Sequence, residues 1–497
     1  MPVRRLVALA TALAPIAADP SSFLSPLAPI EFLLDDSWHG GTKQVHFVLE
    51  GGSEGDAVAV AVPACLALVP RWASGCVFDI LEHVRRERAL GLIDEARRIA
   101  AAADKARAWA LGGSGTGQAV ADAAAAAAAA AALLVRHLEF DIVGANTAPL
   151  ELLDGGDIGL FARSPATALW PAFSIAVHRP VECRYLSEGL LRFGLYDPLK
   201  SAHLAALFRA RMAAAAAAES AAAAAGGNST LVLAPPLFMD VGAHVGYFSL
   251  LAAACGTSVL AVEPLAYNRD RLAASLRLPA NAHLPGLVVV APVAAGRRED
   301  PAGACLAPSE MAGVANRGNA KVVPSDAGSD GIESATGGDG GGGSLHDGGC
   351  ERVAVRTVDG LLADAQVRQR LGGSTAYTAG VAVDVLKVDV EGFELDVLLG
   401  AGLLLADPNT KPCVIIAEHL PDTIASDNND GSGDAVGGGG GGGGVVFELL
   451  RANGYGTASH EAGLPLGAEG DYHFTLDAAE EGAWARCAWV LESRLPW

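Results

Sequence analysis

The stretch Leu237–Gly256, LFMDVGAHVGYFSLLAAACG, constrains the fold of this chain more than any other. Three apolar residues run into Asp240, a loop with Gly242 and Gly246 follows, and an apolar segment then ends at a glycine. This order predicts a buried strand, a tight glycine loop and a helix that stops at its C-terminal glycine. The chain is therefore expected to contain an α/β unit here.

A second apolar strand, Ser258–Val262, follows this helix and ends in Glu263. In a βαβ unit that binds an adenosyl group, such an acidic residue accepts hydrogen bonds from the ribose hydroxyls. A carboxylate at Asp240 would repel a pyrophosphate, but it suits a ligand that carries an ammonium and a sulfonium group. The pattern therefore predicts S-adenosylmethionine as the cofactor. The alternative is an ordinary α/β turn in which Asp240 caps a helix.

Charge and composition limit the classes of partner and site. The formal net charge is −21 and the sequence pI is near 4.9, which argues against nucleic acid and anionic membranes as partners. The cysteines show no C-x-x-C pair and the histidines show no H-x-x-x-H spacing, so no metal site is predicted. No apolar run has the length and hydrophobicity of a membrane span, and none is predicted.

The N-terminal part is divided by composition. Residues 1–18 resemble a secretory signal, although an organellar transit peptide or a plain tail fits too, so the secretory pathway is predicted before a chloroplast, mitochondrion or the cytoplasm. The sequon at Asn228 also favours secretion. Residues 19–135 are a poorly defined region that contains a helical pattern over Ile80–Leu111 and an alanine-rich linker. Residues 136–212 are predicted to be a helical cover or lid.

Within that cover, Tyr185–Phe193 has helical apolar spacing, and Gly194 and the turn Tyr196-Asp197-Pro198 break it. Tyr196 and Asp197 could face a ligand. The alternative is a capped turn that only supports the sheet.

A second informative stretch is Val381–Leu405, VAVDVLKVDVEGFELDVLLGAGLLL. It predicts a buried strand ending at Asp389, a turn with Glu391 and an apolar-faced helix. Because the carboxyl ends of parallel strands meet at one edge of a sheet, Asp389 and Glu391 are expected to lie beside Asp240 and Glu263. At least one of the two acids is also expected to cap the following helix.

The remaining predictions complete an α/β sheet. Asn268 is expected to cap a helix over Arg269–Leu278, and a fifth strand, Cys413–Ala417, leads into Glu418 and His419. Tyr472–Leu476 and Trp484–Leu491 are expected to form a closing antiparallel hairpin. Two stretches rich in glycine, about 299–349 and 427–444, are predicted to be disordered insertions.

Several blocks resemble the FkbM family of S-adenosylmethionine-dependent methyltransferases. They are DVGAHVGYFSL (240–250), VEPLAYN (262–268), VRTVDGLL (355–362), DVLKVDVEGFELDVLLGA (384–401), IIAEH (415–419) and ELLRANGY (448–455). The resemblance implies a Rossmann-like class I methyltransferase domain over 231–497, with a mainly parallel seven-stranded sheet. It also implies O-methylation of a hydroxyl on a sugar or other small acceptor.

The resemblance assigns roles to residues of this chain. Asp240, Gly242 and Gly246 are expected at the methionine end of the cofactor. Glu263 is expected to bind the ribose, and Asn268 follows by position only. His244 stands where the family usually has Asn, and it can still donate a hydrogen bond to the cofactor.

The proton of the acceptor hydroxyl calls for a base near the cofactor. Asp389 is the leading candidate because it ends the strand beside the predicted cleft, and Glu391 and His419 are second choices.

Two other functions remain open. An NAD-type oxidoreductase on the same fold would need a glycine where Ala243 stands. A non-catalytic binding protein with a degenerate methyltransferase fold is suggested by His244 and the large insertions.

Overall fold

The computed structural model describes part of the chain. The described residues are 30–35, 44–49, 54–68, 73–111, 122, 124–125, 128–129, 132, 160–164, 170–179, 182–224, 236–311, 314–323, 350–371, 381–419, 443–459, 470–478 and 486–493. The predicted signal at 1–18, the Asn228 sequon, the glycine-rich stretch 427–442 and most of the alanine linker lie outside them. Predictions for those stretches stay predictions.

The chain forms two compact units, one over Met1–Val69 and Ser74–Leu152, the other over Pro70–Ala73 and Leu153–Trp497. The first unit contains an antiparallel pair, β1 (Ile30–Asp35) and β2 (Gln44–Leu49), followed by two helices. These helices are α1 (Glu54–Leu68) and α2 (Ala73–Leu111), and Cys65 and Cys76 form a disulfide. The helical prediction over Ile80–Leu111 is thus confirmed as part of one longer helix.

The second unit begins with elements that precede the main sheet. An antiparallel pair, β3 (Leu160–Ser164) and β4 (Phe173–Val177), leads to α3 (Arg184–Phe193) and α4 (Pro198–Ala224). Helix α3 ends because Gly194 adopts a left-handed φ of 65°, where a side chain would be strained. The predicted helix over Tyr185–Phe193 is confirmed.

A seven-stranded sheet forms the centre of the second unit. Its strands are β5 (Leu237–Val241), β6 (Ser258–Val262), β7 (Val288–Ala291), β12 (Val385–Val388), β13 (Val414–His419), β14 (Tyr455–Ser459) and β15 (Gly470–Leu476). They lie in the order β14-β15-β13-β12-β5-β6-β7. Strands β7, β6, β5, β12 and β13 are parallel, and β15 and β14 are antiparallel to their neighbours.

The strand order places the site. The chain runs outward from β5 to β6 and β7, then returns to the other side of β5 through β12. Ligands in open α/β sheets bind at such a reversal, outside the carboxyl ends of the strands. All residues of β5 and β6 are buried, as expected for strands covered on both faces.

Helices connect these strands. They are α5 (Tyr247–Ala254), α6 (Ala266–Arg277), α7 (Val358–Ala363), α8 (Ala365–Arg370), α9 (Glu394–Leu399), α10 (Gly402–Ala406) and α11 (Gly443–Ala452), with 3₁₀ turns at Pro279–Asn281 and Ala488–Ser493. Among the described helices, none combines the length and apolar character needed to cross a membrane.

The stretch 299–349, predicted to be a disordered insertion, contains two strands. A second sheet has the order β10-β9-β11-β8, built from β8 (Ala294–Ala295), β9 (Asp300–Met311), β10 (Val314–Val323) and β11 (Glu351–Arg356). The prediction was wrong for 300–323 because β9 pairs with β11, burying Leu306 and Val353 against Leu265. A disulfide joins Cys305 to Cys350 across this sheet.

The closing antiparallel pair is present, but one of its strands was predicted wrongly. Strand β15 pairs with Tyr455–Ser459, whereas the described part of Trp484–Leu491 is helical. In that segment Trp489 and Val490 are buried, and a disulfide joins Cys487 to Cys413, the residue before β13. The segment is therefore held by this disulfide and by packing of its 3₁₀ turn against α4, and not by pairing with β15.

Candidate functional site

A cavity of about 740 Å³ lies at the carboxyl edge of the parallel strands. Its size falls within the range of small-molecule sites. The residues that line this cavity include Tyr196, Asp197, Lys200, Gly242, His244, Phe248, Glu263, Leu265, Leu306, Lys387, Asp389, Glu391, Phe393 and Glu418. The cavity thus brings together the ends of β5, β6, β12 and β13. Of the acids predicted to share this edge, Glu263, Asp389 and Glu391 line the cavity and Asp240 does not.

Glu263 follows β6 and its carboxylate is held by three N–H donors. The backbone N–H of His244 donates to Oε2 at 2.8 Å, and that of Leu265 donates to Oε1 at 2.9 Å. Asn268 Nδ2 donates to Oε1 at 3.1 Å. Burial raises the pKa of Glu263 to about 7, although these hydrogen bonds and Arg269 favour the charged form. Glu263 lines the cavity at 4% exposure, so its orientation is fixed before a ligand arrives.

Asn268 was predicted to cap α6, and that prediction is wrong. The helix begins at Ala266 after Leu265, so Asn268 lies inside it and is fully buried. Its side chain joins Glu263 to His178, whose Nε2 lies 2.9 Å from Asn268 Oδ1. Asn268 is not among the residues that line the cavity, and it orients Glu263 instead.

Two loops meet closely at the ends of β5 and β12. Gly242 has φ +81°, and a Cβ there would lie 1.8 Å from the carbonyl oxygen of Asp389. Only a glycine allows this approach. The loop after β5 is also bonded to β6, since Gly242 N–H donates to Val262 O at 3.0 Å.

The ammonium of Lys387 contacts both of these loops. Its Nζ lies 3.2 Å from Asp389 Oδ2 and 3.4 Å from Asp240 Oδ1, and it donates to Gly242 O at 3.3 Å. Three acceptors match the three N–H donors of an ammonium group. No role was predicted for Lys387, although a charged residue inside an apolar strand is a signal for a buried partner.

Asp240 and Gly246 are not among the residues that line the cavity. Asp240 is fully buried and accepts a hydrogen bond from Ser249 Oγ at 2.7 Å. Gly246 begins α5, and a Cβ there would lie 2.4 Å from Leu272 Cδ1. Both residues therefore shape the loop from behind, and direct contact with a cofactor stays a prediction.

The acids after β12 and β13 form a cluster at the cavity floor. Oxygen atoms of Asp389, Glu391 and Glu418 lie within 4.8 Å of one another. The three groups are close enough for one cation to contact them all, although the sequence predicted no metal site.

Asp389 stays ionised in this cluster. Burial alone would raise its pKa, but the charges of Lys387 and Lys200 and a hydrogen bond with Glu418 hold the pKa of Asp389 well below its ordinary range. A carboxylate of this kind is a weak base. It therefore lacks the pKa near neutrality that efficient base catalysis favours.

Glu391 has a left-handed φ of 57° in the turn before α9. Neither it nor Asp389 caps that helix, because its N-cap Phe393 makes no side-chain cap. Glu394 holds the turn instead, accepting from Val390 N–H at 3.0 Å and Gly392 N–H at 3.1 Å. The expected capping by one of the two acids was wrong.

Two histidines, His244 and His419, were predicted to belong to the site. His244 lines the cavity with a left-handed φ of 53°, and its Nδ1 has no hydrogen-bond partner among the described residues. Burial lowers the pKa of His244 to about 3, so the ring is neutral. His419 ends β13 opposite Gly470, but its side chain is not among those the structure describes.

Part of the chain matches a known protein family. The description "Methyltransferase FkbM domain" matches residues 240–455. Among solved structures, the chain is similar to methyltransferase FkbM from Methylobacillus flagellatus KT, with 17% sequence identity and a TM-score of 0.27 over 48% of this chain. The match spans 43% of that other chain. No curated protein matches the sequence.

Proposed function

We propose that this chain, whose residues 240–455 match the methyltransferase FkbM domain, is a methyltransferase that uses S-adenosylmethionine to methylate a hydroxyl oxygen of a small acceptor or glycan. The five parallel strands with their antiparallel pair suit the Rossmann-like class I methyltransferase fold that the sequence predicts.

The observation that carries this proposal is the held carboxylate of Glu263 at the end of β6. Three N–H donors fix it on the cavity wall, where Oε2, which accepts one of these hydrogen bonds, can accept another from a ribose hydroxyl. The apolar side chains of Leu265 and Leu306 line the same cavity, which suits the flat face of an adenine ring.

The charges at the other end suit the cationic part of the same cofactor. Asp389, Glu391 and Glu418 gather at the floor, where an ammonium or a sulfonium is attracted and a pyrophosphate is repelled. This distribution favours S-adenosylmethionine over a dinucleotide. The residues that would hold it are Glu263 at the ribose and the three clustered acids at the charged end.

The bound cofactor would supply the methyl group on its positively charged sulfur and leave as neutral S-adenosylhomocysteine, its sulfur keeping the electron pair of the C–S bond. The remaining work is alignment and removal of one proton, because the methyl is already activated. Asp389 is ionised and faces the cavity, so it can accept a hydrogen bond from the acceptor hydroxyl. Asp389 would accept the proton that the acceptor oxygen loses, despite its low pKa.

A transfer assay tests the reaction type. The full chain, S-adenosylmethionine labelled on its methyl and acceptors with alcohol, phenol, amine or carboxylate groups would be incubated, and labelled products identified by mass spectrometry. Label on an alcohol or phenol oxygen is expected. Label on amines alone, or no release of S-adenosylhomocysteine together with binding of NADH, would contradict the proposal.

A further inference from the structure

Residues that precede the FkbM match build one wall of the cavity. Tyr196, Asp197 and Lys200 line it, and they lie on the turn between α3 and α4 and on the first turn of α4. Their positions fall outside 240–455. The cavity is therefore completed by the segment that the sequence predicted to be a cover.

This turn has a fixed shape. Asp197 adopts a left-handed φ of 38°, and its Oδ1 accepts a hydrogen bond from the Lys200 N–H at 3.1 Å. Ser201 Oγ donates to the carbonyl of Tyr196 at 2.7 Å and lies 3.2 Å from the hydroxyl of Tyr247 on α5. Such strain in a residue other than glycine persists only where surrounding contacts enforce it, and it concentrates at ligand sites.

Asp197 and Lys200 form a largely buried ion pair on this wall. Lys200 Nζ lies 3.5 Å from Asp197 Oδ2, with side-chain exposures of 6% and 19%. The ammonium also lies 5.4 Å from the centre of the Phe248 ring. The pair presents a hydrogen-bond donor and an acceptor side by side with no net charge.

We propose that Tyr196, Asp197 and Lys200 bind the methyl acceptor and select a neutral molecule that carries two neighbouring hydroxyl groups. One hydroxyl donates to Asp197 and the other accepts from Lys200, while the ring of Tyr196 packs against the carbon frame that bears them. An anionic acceptor is disfavoured because, among the described residues, seven acidic side chains line the cavity against four basic ones, Lys200, Arg297, Arg298 and Lys387.

This inference rests on the proposed function, because it names the second ligand of the same cavity. The reacting hydroxyl must also reach Asp389. Lys200 and Asp389 line the same cavity, so one acceptor can contact both the wall and the floor.

The test measures binding of trans-1,2-cyclohexanediol to the full chain saturated with S-adenosylhomocysteine, by saturation-transfer NMR. Cyclohexanol and cyclohexanecarboxylate serve as the single-hydroxyl and anionic probes. The diol is expected to bind about tenfold more tightly than either, since one charge-assisted hydrogen bond is worth roughly that factor or more. Tighter binding of the carboxylate, or no binding of the diol, would overturn the assignment.

Variants locate the effect on the wall. Lys200→Met and Asp197→Asn are expected to weaken diol binding about tenfold, and Asn tolerates the left-handed backbone and the cap that Asp197 makes. Lys200→Arg keeps the charge and should retain most of the binding. Equal diol binding by Lys200→Met and the unmodified protein would contradict the role of this lysine.

A matched control removes an equivalent charge elsewhere. Arg97 lies 3.7 Å from Asp94 on α2 with the same spacing along a helix, so Arg97→Met should leave diol binding unchanged. S-adenosylhomocysteine affinity, measured by calorimetry, should stay the same in Asp197→Asn, Lys200→Arg and Arg97→Met, which all keep a positive charge at residue 200. If the unmodified protein does not bind S-adenosylhomocysteine, the proposed function is contradicted. If it binds S-adenosylhomocysteine but not the diol, only the proposed acceptor site is contradicted.

Discussion

The ammonium of Lys387, a residue of β12, lies 3.2 Å from the carboxylate of Asp389, the first residue after that strand. The same ammonium reaches Asp240 and the carbonyl of Gly242 on the loop after β5. One buried cation therefore fixes the spacing between the two loops that form the floor of the cavity. It also keeps Asp389 ionised.

Replacing Lys387 with Met should destabilise the protein by about 3 to 5 kcal/mol, because it leaves the carboxylate of Asp240 buried without its cation. Urea denaturation measures this loss. Lys411→Met is the control, since Lys411 is also buried but donates to the carbonyl of Asn453 at 2.8 Å. That control should retain S-adenosylhomocysteine affinity. A change under about 1 kcal/mol for Lys387→Met would rule out this role.

Gly242→Ala should disrupt the site, because the new Cβ would meet the carbonyl oxygen of Asp389 at 1.8 Å and φ is +81°. We expect at least about a tenfold loss of S-adenosylhomocysteine affinity, since the loop must move away from Asp389. Gly402→Ala is the matched control, because a Cβ there meets nothing within 4 Å and the residue begins α10. Titration calorimetry compares the two. Unchanged affinity in Gly242→Ala would contradict the proposed loop geometry.

Cofactor affinity should depend on pH through Glu263. Its pKa of about 7 means that the carboxylate becomes fully charged only above neutrality, and ribose hydroxyls donate best to the charged form. S-adenosylhomocysteine should therefore bind up to about tenfold more tightly at pH 8 than at pH 6. His244 and His178 do not confuse the measurement, because burial lowers their pKa values to about 3 and about 4.

Stability of the ligand-free protein should change in the opposite direction. The pKa of Glu263 is raised from 4.5 in the unfolded chain to about 7, so the folded state holds the proton more tightly. The contribution of Glu263 to stability is therefore complete below pH 4.5 and is lost as the pH rises through 7. Glu263→Gln should flatten both dependences. A Glu263→Gln variant that keeps the full pH dependence would assign the titration to another group.

His244→Asn should preserve cofactor affinity within about twofold, because the contact of residue 244 with Glu263 uses its backbone N–H rather than its ring. Asn also tolerates the left-handed φ of 53° at this position. Calorimetry with S-adenosylhomocysteine measures the effect. A loss of tenfold or more would show that the imidazole itself contacts the cofactor.

The sequence predicted those parts of the fold that depend on local pattern. Strand Ser258–Val262 has the predicted bounds, and the glycine that ends α3 was recognised, because apolar runs and glycine conformations leave a local signal. Strand β9 was missed because its pairing with β11 depends on residues that return after a long intervening stretch. The helix over Ala488–Ser493 was missed because its attachment to Cys413 is not local either.

The sequence indicated which residues lie near the cavity better than it indicated what each of them contacts. Glu263 and Asp389 were found because acids that end parallel strands share one edge. Asp240 and Asn268 have the expected residue types, but packing places them behind the wall. Lys200 was missed because it comes from a segment far away in sequence, and nothing local indicates that it enters the cavity.

The most direct measurement is titration of the full chain with S-adenosylhomocysteine at pH 8, beside the Glu263→Gln variant. In that variant an amide N–H must face one of the donors that now bind the carboxylate. We predict one binding site per chain and at least about tenfold weaker binding in the variant. Absence of binding to the unmodified protein, or equal affinity in the two proteins, would contradict the assignment of this cavity to the cofactor.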